Sequence, residues 1–200
     1  METVDAIKKI VDANNAIIKT ADLSALNIYY HSIQKLLQKG MLRKIKHGYY
    51  CLAEHADGMS EAALVAQLFP DGVLCMYSAL FYYGYSNHTP LAWDLAVDKD
   101  TSKARFDLDY PYVKPYYLEP SQLSFGITEA DYGDCEMAIF DRDRLICECL
   151  QYENKMDREI FNSAIQNYVK DSKKCIPNLL EYAKLRRVKE KVRQRVGVWL

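Results

Sequence analysis

Apolar residues between Thr20 and Leu52 recur with the spacing of two short helices followed by two strands. We expect Thr20 to cap the first helix, and the second runs from about Tyr29 to Gln38. Asn27 stands where the turn between them needs a residue that tolerates positive φ, and Gly40 follows the second helix. The apolar positions that define the buried faces are Leu23, Leu26, Ile28, Ile33, Leu36 and Leu37.

A hairpin is predicted next, with Met41–Ile45 and Tyr49–Leu52 as its strands and Gly48 at its turn. A short apolar run at residues 16–18 predicts a third strand that pairs with this hairpin. The order helix, turn, helix and hairpin is the outline of a winged helix-turn-helix, which places one helix in the DNA major groove. The pattern therefore predicts a winged helix-turn-helix domain over residues 1–54, which includes a preceding helix from Thr3 to Asn15.

Residues 55–200 predict a second, mixed α+β domain that ends in helices, so the fold class of the whole chain is α+β. Pro111 and Pro115 limit one extended segment to a sheet edge or a bulged position, because proline cannot donate to a strand ladder. The predicted helices are Ser60–Phe69, Leu74–Tyr85, Arg142–Gln151, Asp157–Val169, Ile176–Val188 and Lys189–Leu200, and the predicted strands are Leu91–Val97, Pro111–Glu119 and Glu136–Phe140.

The formal net charge of −1 conceals three segments of different charge. Residues 1–50 carry eight Lys/Arg against four Asp/Glu, residues 51–180 carry 11 against 21, and residues 181–200 carry seven against two. A basic head and a basic tail around an acidic middle indicate that different segments meet different partners. The basic ends could bind nucleic acid, and the acidic middle could bind a basic protein or be exposed to water.

The cysteine and histidine pattern argues against a metal site. The six cysteines form no CxxC pair, and the four histidines are widely scattered, so we expect reduced, mostly buried thiols and no bound metal or cofactor. No apolar run approaches the roughly 20 residues that a membrane span needs. The sequence therefore predicts a soluble, cytoplasmic protein without a membrane partner.

Two groups of side chains are candidates for contact with DNA. The polar stripe of the second helix can hydrogen-bond to base edges, and the cations of the hairpin can neutralise phosphates without reading sequence. A helix face and a hairpin that are simply exposed to solvent would show the same pattern. The residues therefore favour contact with DNA, and solvent exposure alone stays an alternative. The stripe is Tyr30, His31, Gln34, Lys35 and Gln38, and the hairpin residues are Arg43, Lys44, Lys46 and His47.

No catalytic motif for phosphate, zinc or serine chemistry occurs in the chain, and no catalytic residue is predicted. Asp94 and Asp98 alternate with apolar residues and could hold a metal, which leaves a metal-dependent phosphoryl- or nucleotidyl-transfer enzyme as an alternative. The ordinary interpretation is the wet face of a strand. Asp141 precedes a helix that it can cap, and Arg144 could be a buried, paired arginine that organises the domain.

Sixteen tyrosines and a basic tail leave two further interpretations open. The tyrosines cluster around residues 77–85 and 110–117, which is typical of a protein interface but also follows from composition bias. The tail from Lys184 to Arg195 alternates cations with apolar residues and could add to DNA binding, contact an acidic partner or solvate the last helix. A plain winged-helix module that binds protein rather than DNA is a further alternative.

Three segments, taken in order, resemble the AbiEi family of antitoxins from bacterial type IV, abortive-infection toxin–antitoxin systems. Gln34–Leu52 is similar to the recognition helix and wing of that family, and Tyr77–Tyr85 is similar to its Ser-Ala-Leu helix that ends in glycine. Ala138–Val169 is similar to its strand, acidic-Arg step and following helices. Leu145 and Glu148 depart from the threonine and aspartate that are frequent in the family.

The resemblance implies a two-part protein that takes part in phage defence. Its winged head would bind inverted repeats in its own promoter and repress the operon, with a dimer on DNA as one possibility. Its C-terminal domain would counteract a cognate nucleotidyltransferase-type toxin, with or without direct contact. For that domain the resemblance singles out Ser78, Asp141 and Arg144.

Overall fold

The computed structural model describes residues 7–8, 17–56 and 58–197. The chain divides into two compact units, one of residues 1–70 with 107–111 and the other of residues 71–106 with 112–200. Most of the predicted helix from Thr3 to Asn15 lies outside the described residues, although Ile7 and Lys8 are helical. The predicted domain boundary after Glu54 stays a prediction.

The first unit is built on a three-stranded antiparallel sheet with two helices inserted between its first and second strands. The central strand of the sheet is the third in sequence, so the strand order is β1-β3-β2. The short strand predicted from the apolar run before Thr20 is confirmed. The elements are β1 (Ile17–Lys19), α1 (Thr20–Ala25), α2 (Tyr30–Gln38), β2 (Leu42–Lys46), β3 (Tyr49–Leu52), α3 (Ala53–Ala56) and α4 (Glu61–Leu68).

Local backbone chemistry at the turns explains why these elements begin and end where they do. Asn27 has φ 58° in the turn between α1 and α2, and Gly48 has φ 79° in the hairpin turn, as predicted. Thr20 was predicted to cap α1, and this is wrong. Thr20 is the first helical residue, its hydroxyl donates to the Gly48 carbonyl at 3.3 Å, and the Asp22 carboxylate accepts the Lys19 N–H at 2.8 Å.

One apolar core holds both helices against the sheet. The side chains of α1 and α2 that face inward meet those of the three strands, with Leu23 and Ile18 fully buried. Half-buried Leu26, Leu37 and Tyr50 pack around this core. Its buried members are Ile7, Ile18, Leu23, Ile28, Ile33, Leu36, Leu42 and Leu52.

The second unit contains a five-stranded mixed sheet and five α-helices among its described residues. The strand order is β6-β5-β4-β8-β7, with β4–β5 and β7–β8 antiparallel and β5–β6 and β4–β8 parallel. The elements are β4 (Val73–Leu74), α5 (Met76–Tyr82), β5 (Trp93–Asp98), β6 (Val113–Leu118), β7 (Ile127–Asp131), β8 (Glu136–Phe140), α6 (Arg142–Gln151), α7 (Arg158–Lys170), α8 (Ile176–Leu185) and α9 (Lys189–Arg195).

The second unit confirms most predicted elements and corrects two. Pro115 lies in β6 at the edge of the sheet, as the proline pattern predicts. Leu74 was predicted to begin a helix, but it lies in the strand β4 between Leu95 and Ile139, so α5 begins only at Met76. Strand β7 was not predicted, because its polar sequence ITEAD has no strong strand signal.

The observed architecture is therefore α+β, and helices α6 to α9 end the described chain, as predicted. Among the described residues, no helix combines the length and the apolar character that crossing a membrane requires.

Candidate nucleic-acid interface

Helix α2 separates an apolar face from a polar, exposed one. Ile33 and Leu36 point into the core. The opposite face carries the five predicted residues, and Tyr30 at its start is 77 % exposed. Exposed or half-exposed hydrogen-bonding side chains on one helix face are what contact with base edges requires. The members of this face are Tyr30, His31, Gln34, Lys35 and Gln38, of which Gln34 is half-exposed.

The N-terminal end of α2 carries no compensating negative charge. Its capping position is Tyr29, which makes no side-chain capping hydrogen bond, and its first turn has no acidic residue. The first N–H groups of a helix lack intrahelical partners and carry partial positive charge. This end of α2 therefore has the electrostatics that favour a phosphate group.

The cations of the wing, which is the hairpin formed by β2 and β3, do not lie together in one cluster. Arg43 pairs with Cys51 across the hairpin and Lys44 pairs with Tyr50, so strand alternation directs the two cations to opposite faces of the sheet. Tyr50 packs against the core that also holds α2. Lys44 therefore shares the face of the sheet that carries the helices, and Arg43 lies on the other face.

A β-bulge at Ile45 changes the alternation beyond Lys44. The next ladder pair after Lys44 with Tyr50 is Lys46 with Tyr49, which leaves Ile45 as the extra residue. The Lys46 ammonium lies 4.5 Å from the centre of the Tyr49 ring and 5.6 Å from that of Phe69. Lys46 is half-buried, whereas Lys44 and His47 are exposed. The wing residues best placed to meet a phosphate are therefore Lys44 and His47.

Ser78 in the second unit joins α5 to β5. It is 5 % exposed, its hydroxyl accepts the Asp94 N–H at 2.8 Å, and it donates to the Ala92 carbonyl at 3.3 Å. Both hydrogen-bonding functions of the hydroxyl are thus used within the fold. The contacts of Ser78 indicate a structural role.

Asp94 is buried beside Ser78 rather than exposed on a wet strand face. Its carboxylate accepts the Tyr77 N–H at 2.8 Å at the start of α5, and burial raises its pKa to about 6. Asp98 lies four residues further along β5, which is a separation of about 13 Å. Within residues 7–8, 17–56 and 58–197, no group of three or more His, Cys, Asp or Glu side chains could hold a metal ion.

Asp141 caps α6, as its place before the helix predicts. One carboxylate oxygen accepts the Arg144 N–H at 2.7 Å, and the other accepts the Tyr182 hydroxyl at 3.2 Å. The cap thus connects the start of α6 to α8.

Arg144 is completely buried, which matches the interpretation of a paired arginine that organises the domain. Its Nε donates to Glu148 Oε1 at 2.7 Å, and its Nη2 donates to the Gln122 carbonyl at 3.0 Å. The guanidinium carbon lies 4.0 Å from the centre of the Phe125 ring and 4.5 Å from that of Phe140. Burial lowers the pKa of Arg144, but the aromatic faces and Glu148 offset the loss of hydration.

Arg186 completes a buried triad with Arg144 and Glu148, and nothing in the sequence distinguishes it from the other cations of the basic tail. Its Nη2 donates to Glu148 Oε2 at 2.8 Å, and its Nε lies 2.6 Å from Oε1 without the alignment of a hydrogen bond. Arg186 is 7 % exposed and Glu148 is 2 % exposed. The local signal in the sequence is the i, i+4 spacing of Arg144 and Glu148, which lie in the buried part of α6.

The three predicted antitoxin residues therefore lie in structural contacts: Ser78 between α5 and β5, Asp141 at the cap of α6, and Arg144 in the triad. None of them offers an exposed nucleophile or base. In the first unit, exposed or half-exposed polar side chains that could contact DNA lie on α2 and on the wing, where Arg43, Lys44 and His47 are exposed.

No protein-family model matches the chain, and no curated protein matches it. The resemblance to the AbiEi antitoxins therefore stays a prediction based on the three sequence segments.

Proposed function

We propose that the chain is an autoregulatory transcriptional repressor whose N-terminal unit binds the operator DNA of its own operon. The observation that carries this proposal is the helix-turn-helix with a wing, in which the outer face of α2 consists of side chains that can hydrogen-bond to bases. A helix of this width fits the major groove of B-DNA.

The side chains on α2 and the wing divide between two tasks. Gln34 and Gln38 have amide groups that can form paired hydrogen bonds with adenine. Lys35 has an ammonium group that can donate hydrogen bonds to O6 and N7 of guanine. Lys44 and His47 meet the phosphate backbone and fix the position of α2 without reading sequence. The open N-terminal end of α2 adds a further phosphate contact.

The spacing of the half-sites in the proposed operator follows from the pitch of B-DNA. Two copies of the chain that bind an inverted repeat place their α2 helices about one helical turn apart, or a multiple of it. The proposal therefore includes a dimer on DNA, and the repressor acts in the cytoplasm, where the operon is transcribed.

The antitoxin part of the proposal is supported by the three-segment resemblance and by the α+β second unit. In this proposal that unit counteracts a cognate nucleotidyltransferase-type toxin encoded in the same operon, and the chain itself is not an enzyme. The contacts of Ser78, Asp141 and Arg144 support a role for these residues in maintaining the fold that performs this task.

A footprint on the DNA upstream of the gene tests the repressor. We expect protection of two inverted half-sites, loss of sequence preference with Gln34→Ala, and no change with Gln166→Ala on the exposed face of α7. Protection that is uniform along the DNA, or a preference that survives Gln34→Ala, contradicts the proposed readout.

Co-expression with the neighbouring toxin tests the second part separately. We expect the full chain to relieve growth arrest, and the Gln34→Ala, Lys44→Ala double variant to relieve it equally when expression is set by an unrelated promoter. Failure of both chains to relieve arrest removes the antitoxin role and leaves the repressor role intact.

A further inference from the structure

Strand β7 forms an open edge of the five-stranded sheet. It pairs with β8 on one side only, and the strand order places it at the end of the sheet. The Asp141 N–H donates to the Gly126 carbonyl at 2.8 Å, and the Tyr132 N–H donates to the Cys135 carbonyl at 3.0 Å. Because hydrogen-bonded pairs alternate in an antiparallel ladder, the even-numbered residues of β7 bond to β8 and the odd-numbered ones direct their backbone groups outward.

The backbone N–H and C=O groups that point away from β8 belong to Ile127, Glu129 and Asp131. The Tyr82 hydroxyl accepts the Asp131 N–H at 3.1 Å, which closes one end of the edge. The backbone groups of Ile127 and Glu129 have no partner among the described residues, and Ile127 is 40 % exposed. Unpaired strand groups of this kind are a template on which another strand can pair.

The hairpin that carries this edge is strongly acidic. Residues 127–136 contain four carboxylates and no Lys or Arg. The register places Glu129, Asp131 and Glu136 on one face of the two strands, while Ala130 and Met137 on the other face are buried. The same edge of a second copy would bring like charges together, so the acids discourage self-pairing and favour a strand with alternating cations.

The rings of Tyr82, Trp93 and Tyr132 form an aromatic platform beside Asp131, at the end of β7. Tyr132 follows β7 directly, and its ring centre lies 5.5 Å from that of Tyr82 and 5.6 Å from that of Trp93. All three side chains are half-exposed. Aromatic faces beside carboxylates bind Lys and Arg side chains through cation–π contacts and through the aliphatic stem. This platform is a second feature, independent of the acids, that suits a basic chain.

We propose that the β7 edge and the platform of Tyr82, Trp93 and Tyr132 bind an extended, basic segment of a partner protein, which adds a sixth strand to the sheet. Alternate Lys or Arg residues of that segment face Glu129 and Asp131 of β7, and one cation at its end covers the platform. Glu136 lies one strand further away, on β8, and adds to the negative charge of the same face. Main-chain hydrogen bonds to Ile127 and Glu129 give the segment its direction and register. This interaction is separate from DNA binding and does not rest on it.

A synthetic peptide tests the proposal on the full chain. We would use a fluorescent eight-residue peptide of alternating Lys and Val, the same peptide with Glu in place of Lys, and a third with N-methyl groups on the alternate residues that face the edge. We expect binding of the first peptide alone, weakened by salt, with slower hydrogen exchange at the amides of Ile127 and Glu129. Equal binding of the Glu peptide or of the methylated peptide overturns the proposal.

Variants of the edge and the platform separate charge from aromatic contact. We expect Glu129→Gln to weaken binding of the Lys peptide by roughly 1.5- to fivefold, as for one exposed ion pair. Glu136→Gln should weaken it less, because Glu136 lies on β8, one strand further from the peptide. Tyr132→Leu keeps an apolar side chain but removes the aromatic face, and we expect a similar loss. Glu159→Gln, an exposed residue of α7, should bind like the wild type. Unchanged affinity in all three edge and platform variants contradicts the proposed surface.

Discussion

Gly126 lies directly against Arg144. A Cβ atom on Gly126 would stand 2.6 Å from Arg144 Cβ and 2.9 Å from its Cγ, and the φ of Gly126 is +65°. Gly126 directly precedes β7, and Arg144 of the buried triad leaves no space for a side chain at this position. Any side chain here would displace Arg144 from Glu148.

Gly126→Ala should therefore destabilise the second unit more than strain alone explains. We expect a loss of about 3 kcal/mol or more, since about 1–2 kcal/mol comes from positive φ and the rest from the clash with Arg144. Gly133→Ala is the matched control, because Gly133 has φ +87° and open space around it. Denaturant unfolding measures both, and equal losses would show that the contact with Arg144 carries no energetic weight.

Glu148→Gln should leave two buried guanidinium groups without their shared negative charge. Breaking one member of a buried ion network costs about 3–5 kcal/mol, so we expect a large fall in the free energy of unfolding. Glu190→Gln breaks the exposed pair with Arg193 and should cost less than about 1 kcal/mol. A Glu148→Gln variant as stable as Glu190→Gln would mean that the triad does not hold α6 to α8.

The buried carboxyl of Asp94 should make stability depend on pH. Burial raises its pKa from 3.8 to about 6, so the folded state binds this proton more tightly than the unfolded chain. Between about pH 7 and about pH 4, protonation of Asp94 should therefore stabilise the fold as the pH falls, by about 3 kcal/mol.

The difference between the wild type and Asp94→Asn isolates this effect from the other carboxyls. We expect the variant to lack the gain below about pH 6, whereas Asp100→Asn on the exposed turn after β5 should keep the wild-type profile. Unfolding curves at several pH values measure this difference. Parallel profiles for the wild type and Asp94→Asn would contradict a raised pKa at Asp94.

Lys44 and Lys46 should differ although they are near neighbours in the wing. Lys44→Ala should lower operator affinity and reduce the slope of log affinity against log salt by about one unit, as expected for one lost phosphate contact. Lys46→Ala should chiefly lower stability, by about 0.5–1 kcal/mol, because its ammonium lies over Tyr49 and Phe69. Equal effects of both variants on the salt slope would contradict this division.

Local signals predicted the winged head well. Asn27, Gly40 and Gly48 adopt the positive φ values that their places in the turns require, and each ends or joins an element where the sequence predicts it. Pro115 likewise predicted an edge strand without any knowledge of the sheet. Such residues act through their own backbone preferences, which a single sequence reveals.

The contacts that organise the second unit could not be predicted in this way. Glu148 and Arg186 are 38 residues apart, and no local pattern pairs them. Strand β7 has a polar sequence, and its pairing with β8 rather than its composition makes it a strand. Strand alternation and the bulge at Ile45 likewise place the predicted wing cations on different faces of the hairpin, and a bulge has no signal in this part of the sequence.

A salt titration of binding to the chain's own upstream DNA, against a scrambled duplex of equal length, tests the central claim most directly. We predict tighter binding to the upstream duplex at every salt concentration, with affinity falling steeply as salt rises. Lys170→Ala, on α7 of the second unit, should leave both curves unchanged. Equal and weak binding to the two duplexes would contradict the claim that the winged head reads an operator.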